Sequence, residues 1–183
     1  MTKQEARYLA GTIRNRLSDF YREKASQVIL EKVQQMEEYQ NAEVIFCYVS
    51  TEDEVNTWPV IGHALEHGKK VGVPVCIGDG IMEVREITSF SQLKKGAYGI
   101  MEPDSSCRKI EKEEIQLALI PCVSADQTGR RLGHGAGYYD RYLADTRFVK
   151  AALCWGKLMM DRIPVDELDI RMDRVISEKE DCE

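Results

Sequence analysis

Along the first forty residues apolar side chains recur at helical spacing, and beyond them they gather into short unbroken runs. Thr2 followed by Glu5 forms a capping box, and Ala6, Leu9, Ala10, Ile13 and Leu17 then mark an amphipathic helix over about residues 3–16. Ser18 can cap a second helix, whose stripe of Ala25, Val28, Ile29, Val33 and Met36 reaches about Tyr39. The two helices are expected to pack together and onto a sheet. Residues 44–49 form a continuous apolar run that predicts a strand buried on both faces. Thr57 as cap, Pro59 in the first turn and Gly68 past the end bracket a third helix, and residues 70–76 follow as a second strand. Strand, helix and strand in that order make a right-handed βαβ unit, so the expected class is α/β, with a largely parallel sheet flanked by helices on both faces.

Between Gly78 and Pro103 short segments (81–87 and 98–101) are punctuated by Gly78, Gly80, Gly96 and Gly99, which predicts a hairpin or edge excursion. A strand at 115–123, a helix at 138–144, a strand at 148–153 and an edge strand at 174–176 complete the pattern, and residues 177–183 read as a frayed acidic tail.

Length and charge narrow the picture. The 183 residues fit a single domain spanning 1–183, and the net charge of −6 argues against nucleic acid or an anionic membrane as a partner. No apolar run approaches the ~18 residues of a membrane span, and Glu5 and Arg7 interrupt any signal peptide, so a cytoplasmic protein is expected. Six scattered cysteines without a CxxC make zinc and a disulfide framework poor expectations, and Cys47, Cys76 and Cys122 read as small buried hydrophobes.

The segment from Leu119 to Arg141 carries the chemistry. A buried strand runs into a loop containing Gly129, Gly133, Gly135 and Gly137, and the loop runs into a helix, so backbone amides converge where strands end. The glycine spacing matches neither GxGxxG nor the P-loop, and by itself fits a surface turn equally well. Arg130, Arg131 and Arg141 around the glycines favour a phosphate site instead, with His134 able to touch the ligand. Asp140 suits the dipole of the following helix, a surface interaction of ~0.3–1 kcal/mol, and equally suits a magnesium ion beside phosphate. Lys3 and Arg7 share a helical stripe with Gly11, which is either a solvated face or two cations facing a gap. His63 and His67 lack the Glu of a zincin motif and read as exposed.

The run RRLGHGAGYYDRYL resembles the glycine-rich signature of the 5-formyltetrahydrofolate cyclo-ligases. The resemblance covers almost the whole chain: Lys3 and Arg7 meet an N-terminal K-x-x-x-R, and Ser50, Glu54, Val55 and Thr57 meet a motif after the first strand. Pro164, Val165, Asp169 and Asp173 meet a closing motif, and Leu158 stands where members often carry Gln. What the resemblance implies is an ATP- and Mg²⁺-dependent closure of 5-formyltetrahydrofolate to 5,10-methenyltetrahydrofolate, with ADP and phosphate released and no protein nucleophile. On it, Lys3, Arg7, Arg131, Leu132, Gly133, His134, Gly135, Ala136, Gly137, Tyr138 and Tyr139 line the ATP site, with Arg131 and His134 positioning phosphate. Val49 and Glu54 face the folate, Asp140 and Asp173 approach Mg²⁺, and a monomer is expected. Glu54 follows a buried strand, where ligands of open α/β sheets sit, although the residue alone reads as readily as a solvated loop acid. The competing reading is a non-catalytic nucleotide-binding module; a nicotinamide-dependent oxidoreductase is disfavoured because the first βαβ turn lacks GxGxxG.

Overall fold

The computed structural model describes residues 1–96 and 99–179. Helix α1 (Lys3–Arg14) starts at the expected capping box, in which Thr2 Oγ1 accepts from the Glu5 amide and Glu5 accepts from the Thr2 amide. Helix α2 (Asp19–Gln35) starts at Ser18, whose hydroxyl accepts from the Tyr21 amide. It stops short of Tyr39. Met36 is extended (ψ 135°), and the short α3 (Glu37–Asn41) after it carries Tyr39 into the core, where its hydroxyl bonds His63 Nδ1 at 2.8 Å. His63 is therefore half-buried rather than exposed.

Strand β1 (Val44–Cys47), helix α4 (Trp58–Glu66) and strand β2 (Lys70–Gly78) form the expected βαβ unit, with β1 and β2 parallel. Thr57 precedes α4 without capping it. Its hydroxyl donates instead to the Tyr48 carbonyl at 2.7 Å and accepts from the Ser50 amide, tying the loop after β1 back onto the strand end. Strand β3 (Ile81–Ile87) returns antiparallel to β2, and β4 (Leu93–Lys95) pairs with β5 (Met101–Pro103) in a small separate ribbon, so the edge excursion is two hairpin-like pairs. Tyr98, placed in a strand by the sequence, lies outside the described residues.

Strand β6 (Leu117–Pro121) leads into a two-residue ribbon, β7 (Ser124–Ala125) with β8 (Arg131–Leu132), and then into α5 (Tyr138–Leu143). Strands β9 (Val149–Leu153) and β10 (Arg174–Ile176) complete a six-stranded sheet in the order β10-β9-β6-β1-β2-β3, parallel except for β3. Alternation along the strands builds two cores. Ile45, Cys47, Leu117 and Leu119 face α2 and α4, while Val44, Phe46, Ala118 and Ile120 face Tyr142 and Leu143 of α5. Helices thus cover both faces, as the unbroken apolar runs of β1 and β6 require. Gly72 of β2 sits where a Cβ would overlap the Val84 side chain of β3.

Two further expectations need correction. Helix α1 is shared between two clusters: Ile13 near its end packs against the main core with α2, but its Ala6 packs with Leu132 of β8 and Ile163 in a third, smaller cluster away from the main sheet. The tail is not frayed at its start, because Glu178 accepts from the Tyr21 hydroxyl and from the Gly156 amide, and the Lys179 carbonyl accepts from Lys32 Nζ. The rest of the tail, with Cys182, lies outside the described residues. The five described cysteines are unpaired; burial raises the Cys47 and Cys76 thiols, and the interaction of the Cys154 thiol with Cys122, together with burial, raises that of Cys154. Thiols held in this way are poor nucleophiles. Leu158 is buried in the main core, and its carbonyl accepts from Ser124 Oγ, so its side chain makes packing contacts rather than polar ones.

Candidate active site

The carboxyl ends of β1, β6 and β9 point the same way, and the chain leaves each of them into a loop that contributes to one region. After β6, the β7–β8 turn is held by Asp126. This fully buried carboxylate accepts from the amides of Thr128, Arg130 and Ile163 and from the Thr128 hydroxyl. Burial acts to raise its pKa, but these hydrogen bonds outweigh burial and hold it below the usual range. Gly129 in the turn has φ +88°, and a Cβ there would collide with the Met172 carbonyl. The turn therefore demands glycine twice over.

Beyond β8 runs the loop Gly133-His134-Gly135-Ala136-Gly137, with Gly135 at φ +105° and Gly137 at φ +71°. Arg7 crosses to it from α1, donating from Nε to the Gly133 carbonyl at 2.8 Å and lying where a Gly135 side chain would go. Lys3, one turn earlier, pairs with Asp166 at 2.7 Å and with Asp169 at 2.5 Å. Both residues of the K-x-x-x-R pair thus meet the loop or its neighbours, with Lys3 held by the closing segment rather than by the glycines. Leu132 is fully buried, and Tyr139 stacks on Phe46 with ring centroids 6.1 Å apart. These two anchor the loop at either end, while His134, Gly135 and Ala136 are exposed.

Arg131 points inward. Its side chain is 3% exposed, donates to the Pro121 carbonyl at 3.2 Å and to Asp140 Oδ1 at 2.8 Å, and leaves Nε without a partner. Asp140 Oδ1 also accepts from the Ile170 amide at 3.2 Å, which draws the closing segment against α5. Asp140 is thus the partner of a buried guanidinium, a heavier duty than a surface helix-dipole contact. Asp173 stands three residues past Ile170, half-exposed, with Oδ2 accepting from the Lys150 amide at 2.8 Å and lying 3.6 Å from Lys150 Nζ. Among the described residues no group of three or more His, Cys, Asp or Glu side chains could hold a metal. Asp140 is engaged by Arg131 and the Ile170 amide, and Asp173 by Lys150 at the start of β9, so no contact joins the two aspartates; a carboxylate of either kind suits Mg²⁺ only when phosphate and water oxygens complete the shell.

The loop after β1 supplies the other side. Val49 is buried, and Glu54 is folded back onto Thr51, accepting from its amide at 2.9 Å and its hydroxyl at 3.0 Å. His134 Nε2 of the glycine loop lies 3.9 Å from Glu54 Oε1, so the two loops touch. Burial tends to raise the Glu54 pKa, but the nearby His134 ring and the hydrogen bonds from Thr51 pull it below the usual glutamate range. Behind Glu54 a cavity of about 860 Å³ opens between α2 and residues 50–59, lined among others by Arg22, Ser26, Leu30, Trp58 and Trp155. Trp155 Nε1 donates to Ser26 Oγ at 3.0 Å and Trp58 Nε1 to the Ser50 carbonyl at 3.1 Å. The sequence reading missed this cavity. Its signals were Ser26 inside an apolar stripe and Trp155 directly after the buried run 151–154.

A mostly parallel sheet with loops gathered at its carboxyl ends defines an α/β protein of the kind that holds small molecules at those ends. The chain belongs to the 5-formyltetrahydrofolate cyclo-ligase family, whose family model matches residues 1–178. It is 30% identical to the Mus musculus 5-formyltetrahydrofolate cyclo-ligase over 88% of this chain and 86% of that one. It is 31% identical to the Mycolicibacterium smegmatis enzyme of the same name, over 74% of this chain and 73% of that one. The NMR structure of Aquifex aeolicus 5,10-methenyltetrahydrofolate synthetase superposes with a TM-score of 0.88 at 28% identity, covering 98% of this chain and 91% of that one. Among the described residues no helix is long and apolar enough to cross a membrane.

Proposed function

We propose that the chain converts 5-formyltetrahydrofolate and ATP into 5,10-methenyltetrahydrofolate, ADP and phosphate, with ATP on the glycine loop and the folate in the cavity behind Glu54. The observation that carries this reading is the meeting of the two loops at His134 and Glu54, which brings a phosphate-suited loop to the mouth of a cavity large enough for a pterin and its aryl group.

The formyl oxygen is a poor leaving group. Phosphorylating it gives an activated centre that N10 attacks, and the oxygen then departs with phosphate. Such a reaction asks for alignment and charge neutralisation rather than a protein nucleophile. The amides of Gly133 to Tyr138 and the side chains of Lys3, Arg7 and His134 supply the nucleotide contacts, with Leu132 and Tyr139 anchoring the loop. Arg131 acts from beneath, by holding Asp140. Asp140 and Asp173 would hold Mg²⁺, which when bound offsets charge on the β- and γ-phosphates. Val49 and Glu54 face the folate, Glu54 as an ionised carboxylate. The chain works as a cytoplasmic monomer without nucleic acid or membrane partners.

Gly135→Val tests the nucleotide half. A β-branched residue at φ +105° and against Arg7 closes the loop, so calorimetry should show ATP affinity falling by about tenfold or more in a folded variant. Unchanged affinity would make the loop a mere turn. ATP binding without any turnover of 5-formyltetrahydrofolate would favour the regulatory nucleotide module instead.

A further inference from the structure

We propose that Arg141 is a positioning residue for the glycine loop: it clasps the tip of the β2–β3 hairpin to Ala136 and so pre-forms the loop that receives ATP. The inference rests on the nucleotide reading above. Arg141 Nε donates to the Gly80 carbonyl at 2.8 Å and Nη2 to the Ala136 carbonyl at 2.5 Å, while its guanidinium lies 5.8 Å from the Tyr138 ring centroid. Tyr138 adds a second tie, its hydroxyl donating to the Gly78 carbonyl at 3.3 Å. Two side chains of α5 therefore grip the two carbonyls that flank Asp79 at the hairpin tip, about sixty residues away in sequence.

Both partners of the clasp are shaped to admit it. A Cβ on Gly80 would overlap the Arg141 guanidinium, and one on Gly137 would lie 2.8 Å from Nη1. Both glycines have left-handed backbone, φ +73° and +71°, so the room and the turn come from the same choice of residue. The loop itself has three glycines in five residues and loses much backbone freedom when it is ordered. A clasp that orders it before the nucleotide arrives takes that cost out of the binding step, which shows as affinity. The charge of Arg141, which the sequence placed beside phosphate, is directed at backbone carbonyls. The gripping of two separated acceptors also explains why a planar fork is used rather than a lysine point charge.

The test uses Arg141→Ala, Gly80→Ala, their double variant and Arg141→Lys in the full chain, with ATP binding followed by calorimetry and the KM of each substrate measured. Arg141→Ala should weaken ATP binding by about tenfold while leaving the folate KM within about twofold. Gly80→Ala keeps the charge of Arg141 but occupies its seat, so it should weaken ATP binding by a similar factor, with the double variant no worse than either single one. Arg141→Lys should recover only part of the loss. A Gly80→Ala variant with wild-type ATP affinity, or an Arg141→Lys variant with full affinity, would overturn the clasp in favour of a direct phosphate contact. Equal losses for ATP and folate accompanied by a lower melting temperature would overturn it in favour of a general structural role. If Arg141→Ala does not fold, Gly80→Ala decides alone. If the wild-type chain binds no ATP, the nucleotide reading is what falls.

Discussion

In the middle of the sheet Phe46, Leu117, Leu119 and Ile120 are shut away from solvent among other apolar side chains, while a few residues further along β6 the chain enters a region held by Asp126, Arg131 and Asp140 and by backbone carbonyls. The first region is stabilised by area and shape, which many apolar residues can supply. The second is stabilised by particular donors meeting particular acceptors, and removing one member leaves another stranded. A chain built this way can keep its fold through wide sequence change, yet be narrowly specified where its loops meet.

The contrast can be broken from either side. The largest effect belongs to the core. Leu119→Ala should cost about 3–5 kcal/mol of stability, read by chemical denaturation, with the KM of both substrates unchanged below the transition. A changed ATP KM in that variant would mean the two regions are not separable. Asp126→Ala should come next, at about 2–3 kcal/mol, because three amides and a hydroxyl lose their acceptor. It should also loosen the loop it supports, so that ATP KM rises alongside the fall in stability. A loss of stability alone would confine Asp126 to the fold.

Asp140→Asn should cost about 1–2 kcal/mol, since the amide oxygen can still accept from Arg131 but the buried guanidinium loses its counter-charge. That exceeds the cost of a surface helix-dipole contact. If Asp140 also serves Mg²⁺, turnover should fall further than stability does, and raising the Mg²⁺ concentration should restore part of it. A magnesium dependence that overlays the wild type would leave Asp140 as the partner of Arg131 only.

The smallest effect concerns Glu54. Its carboxyl is held below the usual range against the pull of burial by His134 and Thr51, so its contribution to stability is present in full above about 4.5 and is lost as pH falls through its lowered folded-state value. Melting temperatures of the wild type and Glu54→Gln should therefore draw together as the pH is lowered from neutral to below about 4.5. A gap that stays constant on acidification would show that the ionised form is not the one being stabilised.

The alternation of apolar residues made the sheet readable: β10 falls on Arg174–Ile176 as expected, and β1 and β6 are buried on both faces because their sequences carry no polar face. Local signals failed where a distant partner outbid them. Thr57 has the sequence of a helix cap, but its hydroxyl is claimed by the end of β1. Met36 fits the α2 stripe, but burying Tyr39 bends the chain there. The glycine loop was legible because its glycines and arginines all fall within the short stretch 129–141. The cavity beside α2 was not, because α2, residues 50–59 and Trp155 meet only after folding. Arg131 and Arg141 look alike in sequence as flanking cations, and their contacts give one to Asp140 and the other to the hairpin tip.

The central claim is that the glycine loop and the cavity behind Glu54 act as one site. The most direct measurement mixes the chain with ATP, Mg²⁺ and 5-formyltetrahydrofolate, following ADP release and the absorbance of the methenyl product together. The account predicts ADP and 5,10-methenyltetrahydrofolate in a one-to-one ratio, and negligible ADP when the folate is omitted. ADP release that is indifferent to the folate, or none with it present, would contradict the claim.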